Sequence, residues 1–270
     1  MAANILEVQN VTIRFGGLTA VSEVSLTQSE GEILSLIGPN GAGKTTFFNL
    51  LTGVYTPNGG AILFGGKNIA KLPTHIRARG GIARTFQNIR LFSTLTVLEN
   101  ILVAVPACNR EKLLPTVLFP RKMRETRRGI VARCRELLEI VGLSGQEDEM
   151  AVSLPYGKQR LLEIARGLAT DPRLLLLDEP GAGMNSFEKD ELTKVIRHIT
   201  GVMKINVLII EHDMKFVMNI SDRIVVLDHG EKIAEGLPAE IQSDERVIQA
   251  YLGSGAFGED EPDAPDEAAV

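Results

Sequence analysis

The segment Gly38-Pro39-Asn40-Gly41-Ala42-Gly43-Lys44-Thr45 constrains this chain more than any other. It fits the pattern G-x-x-x-x-G-K-[ST]. Before it stands Glu32-Ile33-Leu34-Ser35-Leu36-Ile37, a short apolar run ending at a glycine, which reads as a buried strand. A helix is expected to follow, from near residue 43 to residue 51. The glycines let the backbone curl so that successive N–H groups point inward at phosphate oxygens. The helix N-terminus adds about half a positive charge. In such a loop Lys44 is expected to reach the β- and γ-phosphates of a nucleotide, and the Thr45 hydroxyl to ligate Mg2+.

A phosphate loop needs an acid at the end of a hydrophobic strand to hold the metal. Leu174-Leu175-Leu176-Leu177-Asp178-Glu179-Pro180 supplies it. Asp178 is expected to contact Mg2+ directly or through water. Glu179 adds a second carboxylate, placed to polarise an attacking water as general base. Taken alone, the pair also reads as a helix N-cap before Pro180.

The rest of the chain supplies a setting for these two motifs. Ile5, Val8, Val11, Ile13 and Phe15 alternate with polar residues, as in strands of an antiparallel sheet. Gly59-Gly60-Ala61-Ile62-Leu63-Phe64-Gly65-Gly66 reads as a hairpin. Helical spacing dominates residues 96–105 and 123–141, the latter through Ile130, Cys134, Leu137, Leu138 and Val141. A helical subdomain inserted between strands, at about residues 94–170, is the expectation. Beyond it, helix 158–169, strand 173–178, helix 187–200, strand 206–211, helix 214–220 and strand 223–227 alternate. That order predicts a mostly parallel sheet with helices on both faces.

Composition excludes several classes. With 44% hydrophobic residues the chain is too apolar for disorder over most of its 270 residues. Cys108 and Cys134 are too few for a disulfide scaffold and fit a reducing compartment. The net charge of −5 is uneven, because six acids after Leu252 stand without a base. Without them 28 acids face 29 bases, so the body has no global field for nucleic acid. Residues 254–270 read as an acidic, disordered tail. Residues 1–10 have neither a basic start nor an apolar stretch, so no signal peptide is expected. Residues 101–105 and 174–177 are the most apolar runs, far below the roughly 20 residues a membrane-spanning helix needs.

Many nucleotidases share the first two motifs. Leu154-Pro155-Tyr156-Gly157-Lys158-Gln159-Arg160 separates them: its Gly157 lies 21 residues before Asp178, and it opens a helix. It resembles the signature motif of ABC-type ATPases. In order along the chain, Phe15 resembles the aromatic that stacks on adenine, and Gln87 the glutamine that senses Mg2+ and substrate. Ala182-Gly183-Met184-Asn185 resembles the loop linking two nucleotide sites, and His212 the switch histidine at the γ-phosphate. The resemblance covers residues 4–253. It is finer still at residues 14–21, 84–92, 156–166, 211–215 and 247–253, which together look like the larger ATP-binding subunit of bacterial branched-chain amino-acid importers.

The resemblance implies a P-loop NTPase (RecA-like) α/β core with an antiparallel β subdomain and an inserted helical subdomain, in a single nucleotide-binding domain over residues 1–253. It implies ATP and Mg2+ as ligands. ATP contacts would come from Phe15, Gly38, Asn40, Gly41, Gly43, Lys44, Thr45, Thr46 and Gln87, and Mg2+ contacts from Thr45, Gln87 and Asp178. Glu179, His212 and Lys44 would be catalytic. In the family two subunits pack head to tail, so Leu154, Pro155, Tyr156, Gly157 and Lys158 would serve the partner's nucleotide. The implied partners are two transmembrane permease subunits, a second ATP-binding subunit (a different chain or a copy), and, indirectly, a periplasmic substrate-binding protein. Nucleic acid is not among them. The implied place is the cytoplasmic face of a bacterial inner membrane, and the implied cargo branched-chain or other hydrophobic or neutral amino acids. Urea or amide import and lipopolysaccharide export use similar subunits.

Pro155 departs from the family pattern, which has Ser or Ala there; proline brings neither a hydroxyl nor an N–H to a phosphate. Two segments stay open. Ile89, Leu91, Phe92, Leu95 and Val97 read either as a groove for a membrane partner's helix or as core. The basic run at residues 121–128 reads as a solvated helix face or as a contact with anionic lipid.

Overall fold

Strand β3 (Ile33–Ile37) is buried along its whole length, as an apolar run covered on both faces must be. The computed structural model describes residues 4–105 and 120–252, and side chains throughout these except at 120–126 and 252. β3 lies inside a six-stranded sheet of order β10-β9-β3-β8-β7-β6. The other members are β6 (Ile82–Arg84), β7 (Leu174–Asp178), β8 (Asn206–Ile210), β9 (Arg223–Asp228) and β10 (Glu231–Gly236). All pairs are parallel except β9 with β10. Helix α1 (Lys44–Thr52) follows β3 across the phosphate-loop segment.

A second sheet, wholly antiparallel, has the order β2-β1-β4-β5, from β1 (Asn4–Phe15), β2 (Leu18–Ser29), β4 (Gly59–Phe64) and β5 (Lys67–Asn68). The expected hairpin is β4–β5, turning through Gly65 and Gly66 at positive φ.

Side-chain alternation divides the core. Leu174, Leu176, Leu208 and Ile210 face the antiparallel sheet and Phe47 and Phe48 of α1. Leu175, Leu177, Val207 and Ile209 face the helical elements instead. Phe47 and Phe48 are fully buried, each contributing about 1.5–3 kcal/mol by leaving water. A third cluster joins Ile37, Val217, Val226, Ala234, Val247 and Tyr251 behind the phosphate loop.

The inserted helices are α3 (Val97–Leu102), α4 (Pro120–Ile140) and α5 (Tyr156–Leu168). α3 begins with a reciprocal cap, Glu99 N–H to the Thr96 hydroxyl and Thr96 N–H to the Glu99 carboxylate. The Asn100 amide donates to the carbonyls of Phe92, Leu95 and Thr96 and accepts from Phe92 N–H at 2.9 Å, fixing the preceding loop. Beyond β7 come α6 (Ser186–Gly201), α7 (Met214–Ile220), α8 (Pro238–Ser243) and α9 (Glu245–Leu252).

Several expectations shift. The helix expected from residue 158 begins at Tyr156, so Tyr156 and Gly157 form its first turn. Sequence patterning also passed over α2 (Thr74–Arg79), β6, β10, α8 and α9. α2 is six residues long and is held by Arg77, whose buried guanidinium donates to the carbonyls of Leu50, Leu51, Ala70 and Leu72. Such a tie carries no hydrophobic period. Val97 is fully buried in the core and so lines no partner groove, while Leu91 is partly buried and packs against that core. Cys134 is a buried free thiol, which burial pushes up in pKa, and Cys108 lies outside the described residues. So do the acidic tail and, for side chains, residues 121–126 of the basic run; Arg127 and Arg128 are exposed. Among the described residues no helix is long and apolar enough to cross a membrane.

Candidate functional site

Positive φ builds the loop between β3 and α1. Gly38 has φ 150, and a Cβ there would stand 2.0 Å from the Leu227 carbonyl oxygen at the end of β9. Gly43 has φ 98, and a Cβ there would stand 2.5 Å from the Ala20 carbonyl oxygen. Only glycine fits where the loop is pressed between two strand ends. The result is a helix start with no side-chain cap and no acid in the first turn. The first amides of α1, at Lys44, Thr45 and Thr46, have no carbonyl within the helix to bond, and the dipole adds partial positive charge there.

This helix start opens on a cleft of about 500 Å3. Of the expected residues, Asn40, Gly41, Gly43, Lys44, Thr45, Thr46, Gln87 and Glu179 line it. Leu18, Thr19, Ala20, Ala42 and His229 complete the wall. Leu18, Thr19 and Ala20 belong to a recognised motif but carried no assigned role, and His229 had no sequence signal: it sits on the β9–β10 turn. Gly38 lies behind the wall, and Phe15 stands outside it, 43% exposed and edge-on to Tyr55 at 5.1 Å between ring centroids.

The Lys44 ammonium is buried and donates to the carbonyls of Gly38 at 2.5 Å and Pro39 at 2.9 Å. Burial lowers its pKa, and the carboxylates of Glu179 and Asp178 pull the other way. Asp178 ends β7 beneath the cleft, and its Oδ2 accepts from Arg84 Nη2 at 2.7 Å. Glu179 sits at φ 48, a left-handed conformation that turns its side chain out of the strand path. Its Oε2 accepts from Gln87 Nε2 at 2.9 Å and stands 3.7 Å from His212 Nδ1.

Glu211 belongs to the recognised segment 211–215 but carried no assigned role. Its buried carboxylate accepts from Gly181 N–H at 2.7 Å and His212 N–H at 3.1 Å, tying the loop after Glu179 to the histidine. Burial pushes its pKa up, and those backbone bonds oppose the shift.

The segment 154–158 lies elsewhere: none of its residues lines the cleft. Leu154 is buried, and Pro155 occupies the N-cap of α5 at φ −53, one position before the first turn. A Cβ on Gly157 would come 2.5 Å from Glu188 Oε1, and one on Gly183 would come 3.1 Å from the Tyr156 ring. Lys158 Nζ donates to Gln146 Oε1 at 3.1 Å. α5 also holds the strand-to-loop segment at residues 86–90. Arg160 donates to the carbonyls of Phe86 and Gln87, Arg166 to that of Arg90, and Glu163 accepts from Arg90 N–H. Glu163 is buried between the two arginines; burial raises its pKa, and the Arg90 N–H and both guanidiniums oppose it.

An uncapped helix start, a buried ammonium and no first-turn acid fit an anionic phosphate chain. Among the described residues no group of three or more His, Cys, Asp or Glu could hold a metal. A cation beside Thr45, Gln87 and Asp178 would therefore complete its shell with phosphate and water, as Mg2+ does.

Comparison with known proteins places this geometry. The model of the ABC transporter family matches residues 21–182, and that of the branched-chain amino acid ATP-binding cassette transporter matches residues 231–256. The chain is 47% identical over 253 residues to the high-affinity branched-chain amino acid transport ATP-binding protein BraF of Pseudomonas aeruginosa, covering 94% of this chain and 99% of that one. It is 46% identical, with the same coverage, to the high-affinity branched-chain amino acid transport ATP-binding protein LivG of Escherichia coli K12. The solved structure of an ATP-binding cassette of an ABC transporter in its ADP conformation superposes with a TM-score of 0.81 at 30% identity, over 93% of this chain and 100% of that one. With the phosphate loop, the paired carboxylates and the inserted helices in this arrangement, the chain belongs to the ABC transporter family, as an ATP-binding cassette.

Proposed function

We propose that the chain is the ATP-binding and ATP-hydrolysing subunit of an importer for branched-chain or other hydrophobic or neutral amino acids. The observation that carries the reading is 47% identity to a branched-chain amino acid transport ATP-binding protein over 94% of the chain, together with the family match at residues 231–256.

The residues have distinct tasks. Lys44 and the free amides of α1 bind the β- and γ-phosphates of ATP. Phe15, exposed at the end of β1, offers its ring to the adenine. Thr45, Gln87 and Asp178 would hold a Mg2+ ion, which would supply positive charge to the phosphates when bound. The Glu179 carboxylate takes the proton of the attacking water, with Gln87 holding its Oε2. His212, with its Nδ1 3.7 Å from Glu179 Oε2, serves as the switch histidine for the γ-phosphate.

A second ATP-binding chain completes the machine. Because residues 154–158 lie outside the cleft, they are free to meet the nucleotide of a partner packed head to tail. The α5 N-terminus, capped by Pro155 without a side-chain bond, then points its positive end at that γ-phosphate. ATP touches both chains only when they close, and this differential affinity drives closure. The partner is a different chain in importers of this type, or a copy of this one.

Two permease subunits hold the cassette at the cytoplasmic face of the inner membrane, and a periplasmic binding protein supplies cargo. A groove of about 500 Å3, walled by Thr52, Val54, His75, Phe86 and Arg166, is large enough for an apolar helix end. Phe92, 49% exposed on the segment expected to face the membrane partner, belongs to the same side through its contact with Arg166.

The test is copurification from membranes with the permease subunits, then ATPase assay in liposomes. Stimulation by binding protein loaded with leucine is expected. Stimulation by urea but not by leucine refutes the cargo; no ATPase under any condition refutes the whole reading.

A further inference from the structure

Arg84 faces two ways. It closes β6, whose register sets it beside Leu176 of β7, two residues before Asp178. Its Nη2 donates to Asp178 Oδ2 at 2.7 Å, and its Nη1 donates to Asn49 Oδ1 of α1 at 2.7 Å. The guanidinium lies 5.5 Å from the Phe48 ring centroid and 5.4 Å from that of Phe86. The side chain is only 9% exposed, and its buried Nε has no hydrogen-bond partner. A charge this enclosed must be paired, and Asp178 is the carboxylate that pairs it.

The arrangement fixes one acid oxygen and leaves the other. Oδ2 is held by a charge-assisted bond from a planar, rigid donor, while no described hydrogen bond reaches Oδ1. Asp178 is thereby oriented between Arg84 below and Lys44, whose ammonium it influences, above. Arg84 also belongs to the wall of the groove lined by Thr52, Val54, Phe86 and Arg166. One side chain therefore touches both the groove and the acid.

We infer that Arg84 is a positioning residue for Asp178. It holds the carboxylate in the orientation a metal-bound nucleotide requires, and through Phe86 it carries the state of the groove to that carboxylate. This rests on the ATPase reading above, which makes Asp178 a metal-binding acid. Arg84 itself touches neither nucleotide nor metal.

The experiment measures ATP binding to the full chain by calorimetry, in EDTA and across a Mg2+ titration, with thermal melting in parallel. Arg84→Gln keeps ATP affinity in EDTA within about twofold. It raises the Mg2+ concentration for half-saturation by about 10–100-fold, the usual weight of a side chain that orients a metal ligand. Phe86→Ala, which loosens the guanidinium from the groove side, shifts the same midpoint in the same direction by a smaller factor. Arg84→Lys keeps the charge without the fork and restores part of the affinity; it also serves if Arg84→Gln does not fold. A lowered melting temperature with an unchanged Mg2+ midpoint in Arg84→Gln or Arg84→Lys overturns the inference, since packing alone predicts that outcome. A Phe86→Ala midpoint equal to wild type overturns the link to the groove. If the wild-type chain shows no Mg2+-dependent ATP binding, the ATPase reading itself fails, which is a different result.

Discussion

Lys44 illustrates how the site trades stability for binding, and Lys44→Met separates the two. The ammonium is 8% exposed and is partnered by two backbone carbonyls. Its pKa in the fold is depressed below 10.5 by burial, despite the opposing pull of Glu179 and Asp178. A depressed lysine is disfavoured in its charged form by folding. Between the folded value and 10.5 the unfolded chain binds a proton that the folded chain has shed, so stability rises with pH across that window. Below it, at neutral pH, the protein carries the whole cost of the buried charge. Methionine fills similar space without charge and should stabilise the nucleotide-free protein by about 0.5–2 kcal/mol, the usual gain at a functional site built for binding. For a chain of this size that raises the melting midpoint by about 2–4 °C per kcal/mol. ATP does the reverse. At one hundred times Kd a ligand stabilises the wild-type chain by about 2.7 kcal/mol, or roughly 5–10 °C. Lys44→Met should lose nearly all of that shift. Thermal scans of both proteins, with and without Mg-ATP, from pH 7 to pH 10 test both halves. A nucleotide-free midpoint below wild type at pH 7 refutes the burial argument, because the bonds to Gly38 and Pro39 would then outweigh desolvation. An unchanged ATP shift refutes the phosphate role.

Other perturbations read other parts of the site. Glu179→Gln should preserve ATP binding and cut turnover by about 10²–10⁴-fold, the weight of a general base; turnover within twofold of wild type removes Glu179 from that role. Gly38→Ala should destabilise the fold by roughly 3 kcal/mol, because its methyl would meet the Leu227 carbonyl at 2.0 Å. Gly41→Ala, in open space at φ 83, should cost only about 1–2 kcal/mol, so equal losses in denaturant titrations would contradict the packing argument. Pro155→Ser should raise hydrolysis in the assembled complex by supplying a hydroxyl at the α5 N-cap, and an unchanged rate would mean that the proline does not slow its composite site.

Much of the site was legible because its signals are local. The phosphate loop needs glycines at fixed offsets, a lysine and a threonine, and a strand and helix on either side; all lie within about twenty residues, and the structure has them as β3, loop and α1. Asp178 and Glu179 were found the same way, at the end of an apolar run. The inserted helices showed through their period. Phe15, Gln87, His212 and residues 154–158 were legible only by resemblance, since no spacing rule marks a lone aromatic, glutamine or histidine.

What tertiary structure decided has a different origin. Arg84 and Asp178 are 94 positions apart, and Arg160 and the Phe86 carbonyl 74. Arginines read from sequence as solvated charges, yet Arg77, Arg84 and Arg160 are enclosed and bind carbonyls, an amide oxygen and carboxylates. Val97, open in sequence between a partner groove and the core, is buried in the core, and β6 exists only because three residues pair with β7. The chain's local chemistry determined the glycine loop, its lysine and the open start of α1. Which distant charges would be buried beside that place, and so orient its acids, depended on strand order and on the packing of helices against both faces. A buried charge must find a partner wherever the fold brings one within reach, and sequence distance has no bearing on that requirement.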